Sequence, residues 1–454
     1  MKKILLILLI AFNLYAGNVV VATDGSDAHT YATVSGDTTT HWLTILKAAQ
    51  NIVAGDTCFV YAGTYNTVGS DSRLLPALNP TNSGTSGNLI VFKAVGTVTL
   101  TTSTYTGPVI GASGVDYIEW NGFTIDEANA SSHADTGPAV LWDTYGSNIK
   151  YCTIDGNGDP ELGDNHPGIR LESADSCTVS NNTIHDVYTS GVNGVNGAGV
   201  QFYESDDAII EYNEIYNTGS GVFIKGPSTI RSMRATVRYN VIYNTTSGGL
   251  VLGGSEDGKL YQNLVYDCVN GVMLWELAAA ATPINNLIVN NTFHNSTANG
   301  VFLKYYVNAN TIKNNIFTTS VYDYYSEALA APSPLVSDYN NYDTYTNFVQ
   351  LTGGNQTLAS WQSSYSLDTY SLELTTPFVN ASVDSFQLTA LDSTMYFGID
   401  ILQLSGGLAT DTVMVGAYIT GLEVFGASGV PEASVPPTIS ASILDAVITI
   451  LGGQ

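Results

Sequence analysis

The chain alternates short apolar runs with polar turns, and this pattern recurs at irregular intervals between residues 115 and 320. One recurring segment has an apolar residue, two intervening positions, an Asn and a second apolar residue two positions later. Its Asn residues are Asn182, Asn213, Asn240, Asn263, Asn291 and Asn315. The irregular repeat predicts a solenoid of stacked coils, in which each Asn satisfies backbone groups of the neighbouring coils.

A second recurring segment begins with Gly and then alternates between apolar and mixed positions. Its copies begin at Gly168, Gly199, Gly221, Gly249, Gly271 and Gly300. In every copy the first and third residues after the Gly are aliphatic or Phe, which is the period of a half-buried β-strand. Two short strands per repeat, joined by polar turns, predict an all-β parallel solenoid.

The second and fourth residues after each Gly should point away from the core and form two ladders along the surface. The fourth-position ladder contains Glu172, Tyr203, Lys225, Gly253, Trp275 and Lys304. The second-position ladder contains Arg170, Gln201, Phe223, Val251, Met273 and Phe302. Aromatic rings pack on sugars and charged groups bind carboxylates, so the ladders predict a sugar-binding groove. The alternative is that a long C-terminal loop covers the aromatic members as ordinary packing.

The net charge of the chain excludes two classes of binding partner. The 454-residue chain has 40 acidic and 14 basic residues, a net charge of −26. Such a surface repels nucleic acid phosphates and anionic lipids, so neither is an expected partner. Hydrophobic residues make up 44% of the chain, enough for a continuous core, which excludes a disordered protein.

The two ends of the chain differ from the repeats. Residues 1–16 combine a basic start, an apolar run and a small final residue, which predicts a secretory signal peptide. We therefore expect a secreted, extracellular or cell-surface protein, with the periplasm also open. Residues 426–439 predict a linker by composition, and residues 440–454 form a short apolar segment. No later apolar run is long enough for membrane insertion.

The four cysteines are far apart and lack the close spacing of a metal site. They are Cys58, Cys152, Cys177 and Cys268. We expect buried free thiols, and disulfides are the alternative in an exported protein.

Several segments carry a resemblance to a known family. They are Val19–Asp27 (VVVATDGSD), Leu46–Gln50 (LKAAQ), Ala54–Thr57 (AGDT), Tyr61–Tyr65 (YAGTY) and, near the end, Val415–Tyr418 (VGAY). They resemble the opening and closing segments of secreted right-handed parallel β-helix proteins in the pectate-lyase-like superfamily. The resemblance implies a right-handed parallel β-helix over residues 17–425, capped by a short helix around residues 41–53.

Basic residues concentrate in one part of the repeats. Four of them fall within 14 positions: Lys225, Arg231, Arg234 and Arg238. In an acidic chain, this cluster is a candidate site for uronate or sulfate groups. The alternative is that the cluster neutralises nearby carboxylates, such as Glu204, Glu211 and Asp257.

Cleavage of a uronate polymer by β-elimination needs three groups. One neutralises the carboxylate, a base removes the adjacent proton, and an acid protonates the leaving oxygen. Lys225 fits the base, Arg234 or Arg238 the carboxylate-binding group, and Tyr203 the acid. The end of Gly221–Lys225 also resembles the strand that carries the basic Lys in family 6 polysaccharide lyases. The next coil lacks that family's Arg and His.

One acidic loop is a candidate metal site. Asp155, Asn157 and Asp159 offer oxygen ligands at alternate positions, as in a Ca²⁺ loop. A Ca²⁺ ion at the edge of the groove is therefore a candidate cofactor, and a solvated acidic turn is the alternative. His185 and His294 occupy a ladder position that holds Tyr in neighbouring coils, so we expect them to be structural.

Two functions from different classes follow. The first is an exported carbohydrate-active enzyme, a polysaccharide lyase acting on acidic, uronate-containing glycans, with a glycoside hydrolase less favoured. The second is a non-catalytic glycan-binding surface, adhesion or phage-tail-type β-helix protein. Both predict an acidic polysaccharide as partner, and a monomer or a trimer is expected. The candidate substrate-binding residues are Arg170, Glu172, Gln201, Arg231, Trp275 and Lys304.

Overall fold

The structure is a computed structural model. It describes residues 17–37, 39–67, 74–102, 107–126, 137–158, 165–189, 191–227, 230–276, 282–304, 309–327, 335–351, 354–383, 385–388, 395, 397–399, 401–402, 412–417 and 425–426. The predicted signal peptide, the predicted linker after Gly426 and the predicted terminal segment lie outside the described residues. These boundaries stay predictions.

Short β-strands dominate the described chain. The first are β1 (Asn18–Val21), β2 (Thr57–Thr67), β3 (Ile90–Thr102), β4 (Ile110–Ser113), β5 (Ile118–Asp126), β6 (Ala139–Tyr145), β7 (Asn148–Lys150), β8 (Thr153–Asp155), β9 (Ile169–Asp175), β10 (Thr178–Ser180), β11 (Thr183–Val187) and β12 (Ala198–Tyr203). They continue as β13 (Ile209–Glu211), β14 (Glu214–Lys225), β15 (Ser232–Met233), β16 (Thr236–Arg238), β17 (Val241–Gly253), β18 (Ser255–Glu256), β19 (Lys259–Tyr261), β20 (Leu264–Tyr266), β21 (Asn270–Trp275), β22 (Leu287–Val289), β23 (Thr292–Lys304) and β24 (Thr311–Lys313). The last are β25 (Ile316–Ser326), β26 (Val336–Asp338), β27 (Asn341–Leu351), β28 (Gly354–Gln356), β29 (Phe378–Asn380), β30 (Ser385–Leu388), β31 (Gly398–Ile399) and β32 (Thr412–Val413).

Helices are short. They are α1 (Tyr31–Val34), α2 (Ile45–Ala49), α3 (Leu358–Tyr365) and two 3₁₀ helices at Gly191–Asn196 and Ala381–Val383. Among the described residues, none of the helices has the length and apolar character needed to cross a membrane.

Parallel strands of successive coils stack into three faces. Face A contains β7, β10, β13, β16, β19, β22, β24 and β26. Face B contains β8, β11, β20 and the first halves of β14, β17, β23, β25 and β27. Face C contains β6, β9, β12, β21 and the second halves of β14, β17, β23 and β25. Apolar side chains from the three faces form one continuous core, and the predicted all-β parallel solenoid is confirmed.

An asparagine ladder runs through the interior at the turn between faces A and B. Asn240 Oδ1 accepts hydrogen bonds from the backbone N–H and from Nδ2 of Asn213, both at 3.0 Å. Its Nδ2 donates to Asn263 Oδ1 at 3.0 Å and to the carbonyls of Ile210 and Arg238. The buried members are Asn182, Asn213, Asn240, Asn263, Asn291, Asn315 and Asn340. The predicted bonding from coil to coil is confirmed.

The Gly that opens the face C strand is required by the close approach of the next coil. A Cβ at Gly221 would lie 2.4 Å from Ile242 Cγ2 and 2.5 Å from the Gly249 carbonyl oxygen. We expect Gly221→Ala to lower the free energy of unfolding by about 2 kcal/mol, because the coils must separate to admit the methyl group. Gly194→Ala is the matched control, since a Cβ there has nothing within 4 Å. Equal urea midpoints for the two variants would contradict this account.

The N-terminal end of the core is closed by α2. The Thr44 side chain caps α2 by accepting a hydrogen bond from the Lys47 N–H at 3.2 Å. Trp42, just before the helix, is fully buried and forms a β-bridge with Val21. The predicted capping helix is therefore present but spans Ile45–Ala49, shorter than expected, because the preceding residues are extended.

The C-terminal end of the ladder is closed by α3 and by Asp368. Asp368 Oδ1 accepts a hydrogen bond from Asn340 Nδ2 at 3.1 Å, as the next Asn of the ladder would. Trp361 of α3 donates from Nε1 to Asp368 Oδ2 at 3.1 Å. Burial raises the pKa of Asp368, and hydrogen bonds from Ser371 and Asn340 oppose the shift.

All four cysteines are buried free thiols, which confirms the favoured expectation. Burial raises the pKa of Cys152 and Cys177 to about 12 and that of Cys268 to about 11. It raises the pKa of Cys58 further. The thiols therefore stay protonated at neutral pH and serve as small apolar side chains of the core.

Asp323 is a buried carboxyl group, with 1% of its surface exposed. Its Oδ1 accepts a hydrogen bond from Ser320 Oγ at 2.6 Å, and Oδ2 has no partner among the described residues. Burial raises the pKa of Asp323 well above its usual range, and the carboxylates of Asp368, Glu373 and Asp343 add to the shift. Asp323 is therefore held as the neutral acid.

The raised pKa of Asp323 makes stability depend on pH. The folded protein binds this proton more tightly than the unfolded chain does. Proton binding therefore stabilises the folded state fully below about pH 4, and this contribution declines as the pH rises toward the pKa of Asp323 in the folded protein. We expect the melting temperature of Asp323→Asn, relative to wild type, to rise progressively as the pH increases above about 4. Asp257→Asn, at an exposed turn, is the surface control for the same substitution. A flat difference for Asp323→Asn would contradict the neutral state.

Candidate functional site on face C

Face C brings the two predicted ladders into register. One runs through Arg170, Gln201, Phe223, Val251, Met273 and Phe302. The other runs through Glu172, Tyr203, Lys225, Gly253, Trp275 and Lys304. With coils about 4.8 Å apart, each ladder is about 25 Å long. The register predicted from the Gly-led segment is confirmed.

The second-position ladder is buried, which corrects the expectation that it forms an open groove. Arg170 is only 2% exposed, and Gln201 is fully buried. Its members Phe223, Val251 and Met273 form an apolar cluster with Val195 and Ala198, and Trp275 and Phe302 are partly buried at the edge of this cluster. Val195 comes from the 3₁₀ helix Gly191–Asn196. This segment, which precedes β12, supplies the packing that the alternative had assigned to a C-terminal loop.

Tyr203 lies between two cations on the partly exposed ladder. The Arg170 guanidinium carbon is 4.8 Å from the ring centre, and Lys225 Nζ is 4.7 Å from it. The two cations come from the coils on either side of Tyr203 and are attracted to the ring electrons. Arg170 also forms a 2.7 Å ion pair with Glu172. We call these four residues the Tyr203 cluster.

Lys225 is tied to two loop amides. Its Nζ donates to Asn165 Oδ1 and to Asn196 Oδ1, each at 3.2 Å. The Lys225 carbonyl accepts a hydrogen bond from Ser232 Oγ at 2.9 Å, which anchors the end of β14. Two amide oxygens and an aromatic ring all favour a positive charge, so the surroundings of Lys225 stabilise an ammonium group.

Loop residues that the sequence reasoning missed complete the site. Asn165 and Asn196 lie between the repeated strands, and the only available signal was their position shortly before a face C strand. His166, beside Asn165, is 1% exposed, so it is a buried group and not a free loop side chain. Gln201 Nε2 donates to Asn196 Oδ1 at 3.3 Å, while its Oε1 is buried without a partner in the described part of the chain.

Trp275 and Lys304 form a second cation–ring pair further along face C. Lys304 Nζ is 4.2 Å from the centre of the Trp275 ring. Phe223 lies parallel to Trp275, with ring centres 6.1 Å apart. Gly253, at the ladder position between Lys225 and Trp275, contributes no side chain. Lys304 and Phe223 thus both contact the Trp275 ring, which limits the ring surface open to a ligand.

The three predicted arginines are engaged by carboxylates, as the alternative reading expected. Arg231 contacts Glu256 at 3.2 Å, and Arg238 contacts Glu211 at 2.7 Å. Arg234 contacts both Asp206 and Asp207, and its guanidinium lowers the pKa of Asp207. Arg238 lies on face A, so the structure does not bring it onto the face that carries Lys225. Lys225 and the three arginines therefore do not form the compact cationic site expected from the sequence.

The predicted calcium loop forms a turn in its described part. The Asn157 N–H donates to Asp155 Oδ1 at 2.9 Å, and Asn157 is exposed. Asp159 lies outside the described residues. Asp155 instead lies beside His185 and Asp186, and the ligand atoms of these three fall within 4.8 Å of one another. The imidazole does not suit Ca²⁺, which prefers oxygen ligands, so the described donor set does not fit that ion.

Comparisons with known proteins agree with the architecture. The family profile described as "Right handed beta helix region" matches residues 78–194 and 167–328, more than half of the chain. A crystal structure of pectate lyase Pel9A superposes with a TM-score of 0.57 at 12% identity, covering 88% of this chain and 96% of that one.

Other solved structures superpose less closely. A GH136 lacto-N-biosidase from Eubacterium ramulus gives a TM-score of 0.47 at 11% identity, with 78% of this chain and 66% of that one covered. An alginate lyase from Paenibacillus sp. gives 0.43 at 13% identity, with 71% and 92% covered. No curated protein matched the sequence. At 12% identity, the superposition on pectate lyase Pel9A supports the fold alone.

Proposed function

We propose that this chain, which belongs to the family described as the right handed beta helix region, is an exported carbohydrate-active protein. Its substrate class is acidic, uronate-containing polysaccharide, which it binds along face C and cleaves by β-elimination. Because a fold hosts many activities, the proposal rests on the side chains of face C and not on the fold.

The line of cations and rings on the partly exposed ladder carries the proposal. Tyr203, Lys225, Trp275 and Lys304 follow one another in chain order, with one empty position at Gly253. Cations bind carboxylates, and aromatic groups pack against the apolar surface of sugars. In a chain with a net charge of −26, this local row of positive charge favours an anionic sugar polymer over a neutral one.

β-Elimination needs no reactant other than the glycan. A base takes the proton beside the carboxylate, the released electron pair forms a carbon–carbon double bond, and the bond to the leaving oxygen breaks as that oxygen gains a proton. We assign proton removal to Lys225, which acts as a base only after its ammonium group has given up a proton. Tyr203, whose ring centre is 4.7 Å from Lys225 Nζ, supplies the proton to the leaving oxygen. Arg234 and Arg238 have no role here, because carboxylates hold them.

A second candidate function is glycan binding without cleavage. The contacts of Lys225 favour it, since the amide oxygens of Asn165 and Asn196 stabilise an ammonium group, and an ammonium group cannot remove a proton. On this alternative, face C is the contact surface of an adhesion or phage-tail-type protein.

Affinity electrophoresis of residues 17–454 tests the binding that both functions require. We expect alginate, pectate or chondroitin in a native gel to retard the wild-type protein, and neutral dextran to leave it unaffected. A double variant, Lys225→Ala with Lys304→Ala, should lose the retardation. Lys259→Ala, which removes an exposed lysine of face A, should keep it. Equal retardation of the double variant and wild type, or equal retardation by dextran, would contradict the proposal.

A further inference from the structure

Face B holds a cluster of one imidazole and two carboxylates that the glycan proposal does not use. Asp155, at the end of β8, pairs in register with His185 of the next coil, and Asp186 follows at a turn. His185 Nδ1 lies 3.7 Å from Asp155 Oδ1 and 2.7 Å from Asp186 Oδ2. Two coils thus bring three donor atoms together at one point of the surface.

The side chains of the cluster are held in place from outside it. The His185 ring stacks on Tyr216 with ring centres 5.0 Å apart and an angle of 10° between the planes. Asn217 Nδ2 donates to Asp186 Oδ1 at 3.0 Å, which leaves Oδ2 directed toward His185. Groups that orient the donors in this way are typical of the surroundings of a bound metal ion.

Three tyrosines separate His185 from the other histidine of its ladder, His294. Tyr216, Tyr243 and Tyr266 stack on one another at the same position of the following coils. A further Tyr would have continued that stack at His185. An imidazole was not needed for stacking, whereas an imidazole flanked by two carboxylates provides a nitrogen and two oxygens to a metal ion.

We propose that Asp155, His185 and Asp186 bind a divalent transition-metal ion, with Zn²⁺ as the reference ion. Zn²⁺ accepts imidazole nitrogen and carboxylate oxygen at about 2.0–2.2 Å, which places neighbouring donors about 3.3 Å apart. His185 Nδ1 is 3.7 Å from Asp155 Oδ1, and its 2.7 Å contact with Asp186 Oδ2 is a hydrogen bond whose proton the metal ion would replace. The side chains of His185, Asp155 and Asp186 are 15%, 36% and 34% exposed, so the site is reachable from solvent.

The site also lies at the base of the segment that covers face C. From Asp186 the chain passes through the 3₁₀ helix Gly191–Asn196, whose last residue contacts Lys225. A metal ion at Asp186 would tie the start of this segment to Asp155 of the preceding coil. The inference does not depend on the glycan proposal, since it concerns face B and a different ligand.

Calorimetric titration of the full chain, freed of any purification tag, with zinc chloride tests the site. We expect one Zn²⁺ ion per chain at micromolar affinity or tighter, with a rise in melting temperature. His185→Gln and Asp186→Asn should each weaken binding by more than about tenfold. Asn tolerates the left-handed turn at position 186, so the second variant preserves the fold. His294→Gln, in the same ladder, is the control and should bind as wild type.

Three outcomes would overturn the inference. One is the absence of zinc binding by the wild-type chain. Another is equal affinity in wild type and in both cluster variants, which would place the zinc elsewhere on the acidic surface. The third is displacement of the zinc by millimolar calcium chloride, which would show a site built from oxygen ligands alone.

Discussion

Replacing Asn240 with Ala should lower the free energy of unfolding by about 3 kcal/mol, because it removes the centre of a buried hydrogen-bond chain. The backbone N–H and Nδ2 of Asn213 would lose their acceptor, and Asn263 Oδ1 would lose a donor. The carbonyls of Ile210 and Arg238 would also lose a partner. Each buried polar group left without a partner costs about 1–3 kcal/mol.

Urea unfolding followed by circular dichroism measures this effect. Thr246→Ala, an exposed substitution on the same coil, is the control and should leave the midpoint within experimental error of wild type. If Asn240→Ala unfolds at the same urea concentration as the control, the ladder contributes no net stability and the account of the repeat is wrong.

Replacing Lys225 with Ala should slow glycan cleavage by at least about 100-fold, since a positioned general base contributes about 10²–10⁴-fold. The melting temperature should change little, because the side chain is half-buried and lies outside the core. Lys225→Arg is the more informative variant. It keeps the positive charge but cannot act as a base, so it should bind the glycan and fail to cleave it. Lys259→Ala should cleave at the wild-type rate.

Cleavage by Lys225→Arg at the wild-type rate would mean that position 225 contributes charge and not proton transfer. Loss of both binding and cleavage in that variant, with the fold intact, would instead show that the hydrogen bonds to Asn165 and Asn196 need the lysine geometry. Wild-type cleavage by Lys225→Arg therefore removes Lys225 from the role of base, whereas loss of binding assigns position 225 to binding of the glycan.

The fold could be predicted because its repeat rests on two requirements that recur in each coil. The buried Asn must bond to the next coil, and the Gly must admit the close approach of that coil. Both requirements recur from coil to coil, so both residues stand out in the sequence despite the irregular spacing. The same repeat predicted the register of face C, since residues at equal distances from the Gly become neighbours.

The candidate site could be predicted only in part, because its other half comes from loops. The 3₁₀ helix Gly191–Asn196 falls between repeats, and no periodic signal showed that it would bury Gln201 and contact Lys225. The pairing of Arg238 was within reach, since Glu211 and Arg238 are related by the same step as Asn213 and Asn240. Applying the register to charged residues as well as apolar ones identifies that ion pair.

The cluster of Asp155, His185 and Asp186 was hidden for a related reason. Cys152 stands where later coils have the ladder Asn, so the register between Asp155 and His185 was not marked by the Asn repeat. The acidic loop after Asp155 instead suggested ligands from one stretch of chain. In a solenoid, side chains one coil apart can lie closer to each other than residues of the same loop. Asp155 Oδ1 and His185 Nδ1, which come from neighbouring coils, are 3.7 Å apart.

Ultraviolet absorbance of the reaction products tests most directly whether face C cleaves an acidic glycan. Incubation of wild-type residues 17–454 with alginate, pectate and chondroitin should produce unsaturated uronate ends, seen as rising absorbance with at least one of the three. Neutral dextran should give no increase. If no acidic glycan gives an increase under conditions where the native gel shows binding, the lyase assignment is contradicted and face C is a binding surface.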